Sequence, residues 1–243
     1  MKTSTLPLWA PFIAFSVCMV INPSVHAKNT DDHGPMTTKC SSSSCGNILD
    51  IHSPFRLETD PEHCGDKRYN LSCENNLTVL YLYSGKYYVQ AINYNNHTIR
   101  VMDSNVDKDY FSSIPRYSLA RYNFSGTDPY SMELLRGSYW VLLPVIFLSC
   151  ENPVDSPLYI DTAPYIISSK GRGHYSYVML GSSTATEVSN FCRIELMVMS
   201  LTTSEGNKEN MNITYVDIHS KLVHGFMLSW LPNCKGKKHC GKD

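Results

Sequence analysis

Four cysteines, Cys40, Cys45, Cys64 and Cys73, crowd into the stretch just ahead of the hairpin-like run Leu77 to Asp103, and they constrain the fold more than any other feature. Cysteines at this density, two of them followed directly by glycine (Cys45-Gly46, Cys64-Gly65), call for a loop-rich framework held by bridges. The stretch lies behind residues with the makeup of an export signal. Lys2 gives the positive start, Leu6 to Ile21 is mostly apolar, and Val25-His26-Ala27 offers a small-residue cleavage site. The apolar part is short for a membrane anchor, and Pro7, Pro11 and Pro23 interrupt it, so residues 1–27 are read as a cleaved signal peptide.

Cleavage would remove Cys18 from the nine cysteines and leave eight: Cys40, Cys45, Cys64, Cys73, Cys150, Cys192, Cys234 and Cys240. An even number in an oxidising compartment points to disulfides, but eight cysteines allow on the order of a hundred pairings and the sequence does not choose. Bridges at about 2–4 kcal/mol each rival the net stability of an ordinary domain. Zinc is the weaker reading in a compartment that oxidises thiols. Five glycosylation triplets, at Asn70, Asn76, Asn96, Asn123 and Asn212, fit the same secreted, extracellular placement.

Charge excludes little. The chain without its signal has 20 basic residues (21 less Lys2) against 22 acidic ones, a formal charge of −2. Nucleic acid would favour a basic footprint and is not expected as a partner. The basic tail from Lys235 to Lys242 reads as a solvated end. The best second membrane candidate, Tyr139 to Leu148, is about half the length needed to span a bilayer and contains Pro144. It is expected to be a buried strand, and the mature product to be soluble.

The pattern predicts a mainly β, disulfide-rich fold of short antiparallel strands and hairpins in two β-rich modules. Leu77 to Tyr83, a turn at Ser84-Gly85, Lys86 to Tyr94, a turn at Asn95-Asn96-His97 and Thr98 to Asp103 read as successive hairpin strands. In the last of them Ile99 and Val101 share one face and Arg100 takes the other, away from the core. Further strands are expected in 138–150, 157–161, 175–180 and 192–199. No segment shows convincing helical periodicity with caps; residues 216–224 suit one short helical turn. The organisation expected is a signal peptide at 1–27, a flexible arm at 28–39, a cysteine-rich module at 40–104 and an irregular connection at 105–135. A second β-rich module follows at 136–224, then a further cysteine-bearing segment at 225–243.

Catalytic motifs are missing. There is no Gly-x-Ser-x-Gly elbow, no His-Glu-x-x-His pair and no phosphate-cradling glycine loop. Asp60, Glu62, Asp66, Asp155 and Asp161 supply carboxylates, but nothing selects a glycosidase pair. Asp103-x-Asn105-x-Asp107-x-Asp109 imitates a calcium loop, yet Lys108 holds the glycine position and Ile114 the final acidic one. The expectation is therefore no enzyme activity, no cofactor and no metal. The usable chemistry is aromatic plus cationic: flat rings stack on pyranoses, and Lys or Arg takes uronate carboxylates. Lys67, Arg68, Tyr81, Tyr83, Lys86, Tyr87, Tyr88 and Arg100 lie in or beside the hairpins and form the candidate ligand-binding set. The bland alternative is that the tyrosines only pack the sheet.

Cys45-Gly-Asn-Ile, Ser53-Pro-Phe-Arg-Leu57, Asp60-Pro-Glu-His-Cys-Gly65, Tyr69-Asn-Leu-Ser-Cys73, Tyr88 to Tyr94 and Thr98 to Asp103 resemble the galacturonan-binding domain of plant wall-associated receptor kinases. Pro157 to Pro164, Cys192-Arg-Ile-Glu and His224 to Trp230 with Cys234 resemble the ectodomains of leaf rust 10-like receptor kinases. The resemblance implies a non-catalytic binder of cell-wall pectin in the apoplast. It also implies that 40–104 is the galacturonan-binding-like module, and that 225–243 begins a C-terminal cysteine-rich segment which is truncated here. A membrane helix and kinase would follow in the family; their absence leads us to expect a truncated product, a soluble relative or a decoy. Cysteines expected near Phe111 and at Tyr165 are missing, as if one bridge had been lost whole. The competing functions are a protein-interaction module that binds a peptide or a receptor-like kinase, and an unrecognised carbohydrate-active enzyme.

Overall fold

The alternation in Leu77 to Asp103 is realised as a meander, and the rest of the chain is built around it. The computed structural model describes residues 39–132, 140–166, 174–181, 185–203 and 213–230. The expected signal peptide, the arm short of Lys39, Asn212, Cys234 and Cys240 lie outside the described residues. In chain order the strands are β1 (Ser43–Cys45), β2 (Ile48–Ile51), β3 (Arg56–Leu57), β4 (Asn70–Glu74), β5 (Leu77–Leu82), β6 (Gly85–Asn93) and β7 (Thr98–Asp103). Then come β8 (Trp140–Cys150), β9 (Ile160–Asp161), β10 (Tyr175–Leu180), β11 (Cys192–Thr203), helix α1 (Tyr215–His224) and β12 (Phe226–Ser229).

These strands make a hairpin, β1-β2, a four-stranded sheet in the order β11-β8-β10-β9, and a six-stranded sheet in the order β12-β7-β6-β5-β4-β3. All pairings are antiparallel except β3 with β4. The mainly β expectation holds. Three bridges join Cys40 to Cys64, Cys45 to Cys73 and Cys150 to Cys192.

In the six-stranded sheet, side chains of one parity point inward. Leu80, Leu82, Tyr87, Val89, Ile99, Val101, Phe226 and Leu228 pack there with Ile51, Phe55 and Trp230. The inner face is thus covered by the hairpin and by the loop that the first two bridges staple. The strand β12 comes from the segment expected to open a separate C-terminal piece, yet it hydrogen-bonds β7 from Phe226 to Ser229. An apolar edge strand joins the sheet wherever its inward residues find a core, whatever their distance in sequence.

The four-stranded sheet is covered on both faces. Val145, Phe147, Val178, Leu196 and Val198 pack against Tyr215, Ile218 and Leu222 of α1. Ile146, Leu148, Cys150, Tyr177 and Met179 pack with Tyr159 on the other face. That is why β8 reads as a continuous apolar run rather than an alternating one.

The helix exceeds the single turn expected. Thr214 caps it by accepting from Asp217 N at 3.3 Å, and the Asp217 carboxylate accepts from Thr214 N at 2.8 Å. Tyr215, Ile218, His219 and Leu222, at helical spacing, form its buried stripe. Gly225 ends it at φ 81°, where an added Cβ would run into the Val101 carbonyl. The rings of Phe111, beside one position where a cysteine was expected, and Tyr165, at the other, have centroids 5.7 Å apart. Tyr165 also stacks on Tyr215 at 5.1 Å.

Candidate functional site

The register of the six-stranded sheet gathers one set of side chains on its outer face. Tyr81 stands opposite Lys86, Val79 opposite Tyr88, and Tyr88 opposite Met102. A bulge between Val89 and Ala91 then pairs Ala91 with Arg100, and Arg100 in turn faces Met227 of β12. Tyr81, Lys86, Tyr88, Met102, Arg100 and Met227 thereby cross the face diagonally. Four of the eight sequence candidates meet here.

Lys86 is the centre of the group. Its Nζ lies 6.0 Å from the ring centroid of Tyr81 and 6.0 Å from that of Tyr88. It donates to Glu74 Oε2 at 2.6 Å, while Tyr81 OH donates to Glu74 Oε1 at 2.7 Å. The hydrogen bond from Lys86 holds the Glu74 carboxyl below its ordinary range, with Tyr81 adding to it. The same bond from the other side raises the Lys86 ammonium. An ammonium has three donors, so one bond to Glu74 leaves capacity for a ligand oxygen. Tyr81 is 56% exposed and offers its ring to solvent. Val79, by contrast, is wholly buried opposite Tyr88.

Arg100 does project from the outer face, as strand parity required, but it is not idle. Its Nη1 donates to the His224 carbonyl at 3.0 Å. That bond satisfies an orphan carbonyl in the last turn of α1 and places a cation at the helix's negative end. Burial lowers the Arg100 guanidinium from its ordinary value. Arg100 thus ties the helix to the sheet as well as bordering the face.

The other four candidates sit elsewhere. Tyr87 is the clear correction: it is 2% exposed, lies on the inner face and packs edge-on against Phe226 at 5.7 Å. Alternation along β6 gives adjacent tyrosines opposite fates, and the core claims Tyr87. Tyr83 occupies the turn between β5 and β6 with φ 52°. Its hydroxyl donates to the Asn123 carbonyl at 2.8 Å and its ring meets Phe124 edge-on at 5.6 Å. Burial, then the charge of Asp128, pushes that hydroxyl up to about 12. Lys67 and Arg68 are exposed on a short 3-10 turn before β4, where Arg68 Nη2 pairs with Asp66 Oδ2 at 2.6 Å.

Strand parity had already put Met102 on the same face as Arg100. Glu74 and Met227 were not foreseen as part of the face, because they required the sheet order. The loop at 103–109 uses its oxygens on itself, with Asp103 Oδ1 accepting from Asn105 N at 2.8 Å and Asp107 Oδ1 from Asp109 N at 2.9 Å. Cys40, His63 and Cys64 bring ligand atoms within 4.8 Å of one another, but the bridge consumes both sulfurs. Ser113 Oγ lies 3.1 Å from His219 Nε2, a nucleophile-to-base distance. That hydroxyl also meets Asp107 N at 2.8 Å and the Tyr110 carbonyl at 2.6 Å, so it ties the loop to α1.

No described helix is long and apolar enough to cross a membrane. Residues 40–103 match the family model described as wall-associated receptor kinase galacturonan-binding. The match runs from the first bridged cysteine to the end of β7 and takes in every outer-face residue except Met227. Neither the curated proteins nor the solved structures gave a match.

Proposed function

We propose that this chain is a secreted, non-catalytic protein that binds partly de-esterified galacturonan in the plant cell wall, through the outer face of its six-stranded sheet. The observation that carries the reading is the placement of Lys86 between Tyr81 and Tyr88, inside the segment matched to a galacturonan-binding family. Lys86 would take a uronate carboxylate with its remaining donors, and the two rings would take the apolar faces of neighbouring sugars. Arg100 would border the site at the α1 end.

Extracellular placement is supported by the three bridges. Three glycosylation triplets leave their asparagines exposed, Asn76 and Asn96 in turns and Asn123 at the end of a short 3-10 helix. Asn70 differs, being half-buried on β4 with its Oδ1 enclosed.

Calorimetric titration with oligogalacturonides, at low and raised salt and beside methyl-esterified controls, tests the proposal. Binding to the acidic oligomer that weakens with salt is the expected result. A folded sample that ignores the acidic oligomer would exclude it and turn attention to a peptide or receptor kinase partner.

A further inference from the structure

A second surface of the molecule has binding chemistry of a different kind. At the end of the four-stranded sheet, three chain segments converge on an open cleft of about 330 Å³. Ser149 and Glu151 come from the end of β8, His174 from just before β10, and Asn190, Phe191 and Arg193 from the start of β11. Ser149 stands directly opposite Arg193, and Glu151 N donates to the Phe191 carbonyl at 2.9 Å. The Cys150–Cys192 bridge joins β8 to β11 at this level, so the floor of the cleft is covalently fixed. A fixed floor lowers the ordering cost of binding.

The volume lies at the lower end of small-molecule sites, about 300–1,000 Å³. Its lining mixes a hydroxyl, a carboxylate, an imidazole, an amide and a guanidinium, which together both donate and accept. Phe191 adds a large ring that is 57% exposed. Such a ring beside convergent polar groups matches a pyranose, whose C–H face is apolar and whose rim is hydroxylated. Charge selects the kind of sugar. Arg193 is compensated by Glu195, whose Oε1 accepts from its Nε at 3.0 Å and its Nη2 at 2.8 Å. Glu151 adds a further carboxylate, so the cleft carries no surplus of positive charge to receive a uronate.

We propose that this cleft is a saccharide-binding site for neutral sugars, separate from the outer face of the other sheet and independent of what that face binds. Glu151, Asn190 and Arg193 hydrogen-bond the hydroxyls, and Phe191 stacks on the ring. The test is calorimetry, with saturation-transfer NMR, of the full chain against β-1,4-linked tetraoses of glucose, galactose, mannose and xylose.

At least one tetraose is expected to bind. Phe191→Ala should weaken that binding on the order of ten-fold while leaving the melting temperature and the oligogalacturonide response unchanged. Arg193→Ala should weaken it too, and Lys86→Ala should not. The proposal is overturned if none of the four tetraoses binds the folded chain. It is equally overturned if Phe191→Ala leaves the affinity untouched, or if an acidic oligogalacturonide displaces the neutral one. The two sites fail separately, since each is read with its own ligand and its own variant.

Discussion

The two sheets handle their faces in opposite ways. The six-stranded sheet buries one face under a bridged hairpin and loop and leaves the other partly covered, so its strands alternate and present Tyr81, Lys86 and Tyr88 outward. The four-stranded sheet is packed on both faces, by α1 on one side and by Tyr159 on the other. Its polar chemistry lies at the sheet's end, where Ser149, Glu151 and Arg193 line a cleft. The difference teaches that an open face can recognise an extended polymer, whereas a sheet end offers only a compact cleft. It also predicts opposite charge preferences for the two.

The largest effect expected from breaking this comparison comes from the bridges. Cys45→Ser with Cys73→Ser opens a loop with a sequence separation of 28 and should cost about 3 kcal/mol in denaturant unfolding. Acidic-oligomer binding should be lost with that pair but survive Cys150→Ser with Cys192→Ser in any sample that still folds. Loss with both pairs would mean that the sheets are not separate recognition units.

A smaller effect tests the charge on the open face. Lys86→Ala should weaken oligogalacturonide binding on the order of ten-fold and flatten its salt dependence. Glu74→Gln should act in the opposite sense and strengthen it a few-fold, because it removes a like charge and releases the Lys86 ammonium. Weakening by both variants would show that the face is not led by charge.

The smallest effect belongs to α1, the element that covers the second sheet. His219 is 1% exposed, and burial lowers its pKa from an ordinary 6.5. The unfolded chain therefore takes up a proton at higher pH than the folded one does. Stability from the neutral buried ring is present above about pH 6.5 and is lost as pH falls through the lower folded value. Melting temperature should drop between pH 7.5 and 5, and His219→Gln should reduce that slope. His224, also lowered by burial, should leave a residual slope in the same direction.

Local patterning made much of this legible. The strands expected across Leu77 to Asp103 appear as β5, β6 and β7, with the second turn at Asn95-Asn96-His97 as expected and the first one residue earlier, at Tyr83-Ser84, because Gly85 already pairs with Leu82. The outward direction of Arg100 followed from parity alone. The helix α1 was under-read, although Thr214 with Asp217 and the spacing Tyr215, Ile218, His219, Leu222 carry a capping and stripe signal. Tyr87 and Tyr88 illustrate a different limit, because alternation says that they diverge but not which of them meets the core. The cleft at 149–193 left no signal as a site, since its residues come together only when β8, β10 and β11 lie side by side.

The sequence by itself determined the β character, the oxidised framework and the alternation that separates inward from outward residues. These depend on steric and hydrophobic periodicities that act within a few residues. Only the tertiary structure decided which cysteines pair, that β12 completes the first sheet beside β7, and that Lys86 is shared between Glu74 and two tyrosine rings. Those outcomes bring together groups far apart along the chain. They are set by which packing of the elements buries the most apolar surface while leaving the polar groups paired.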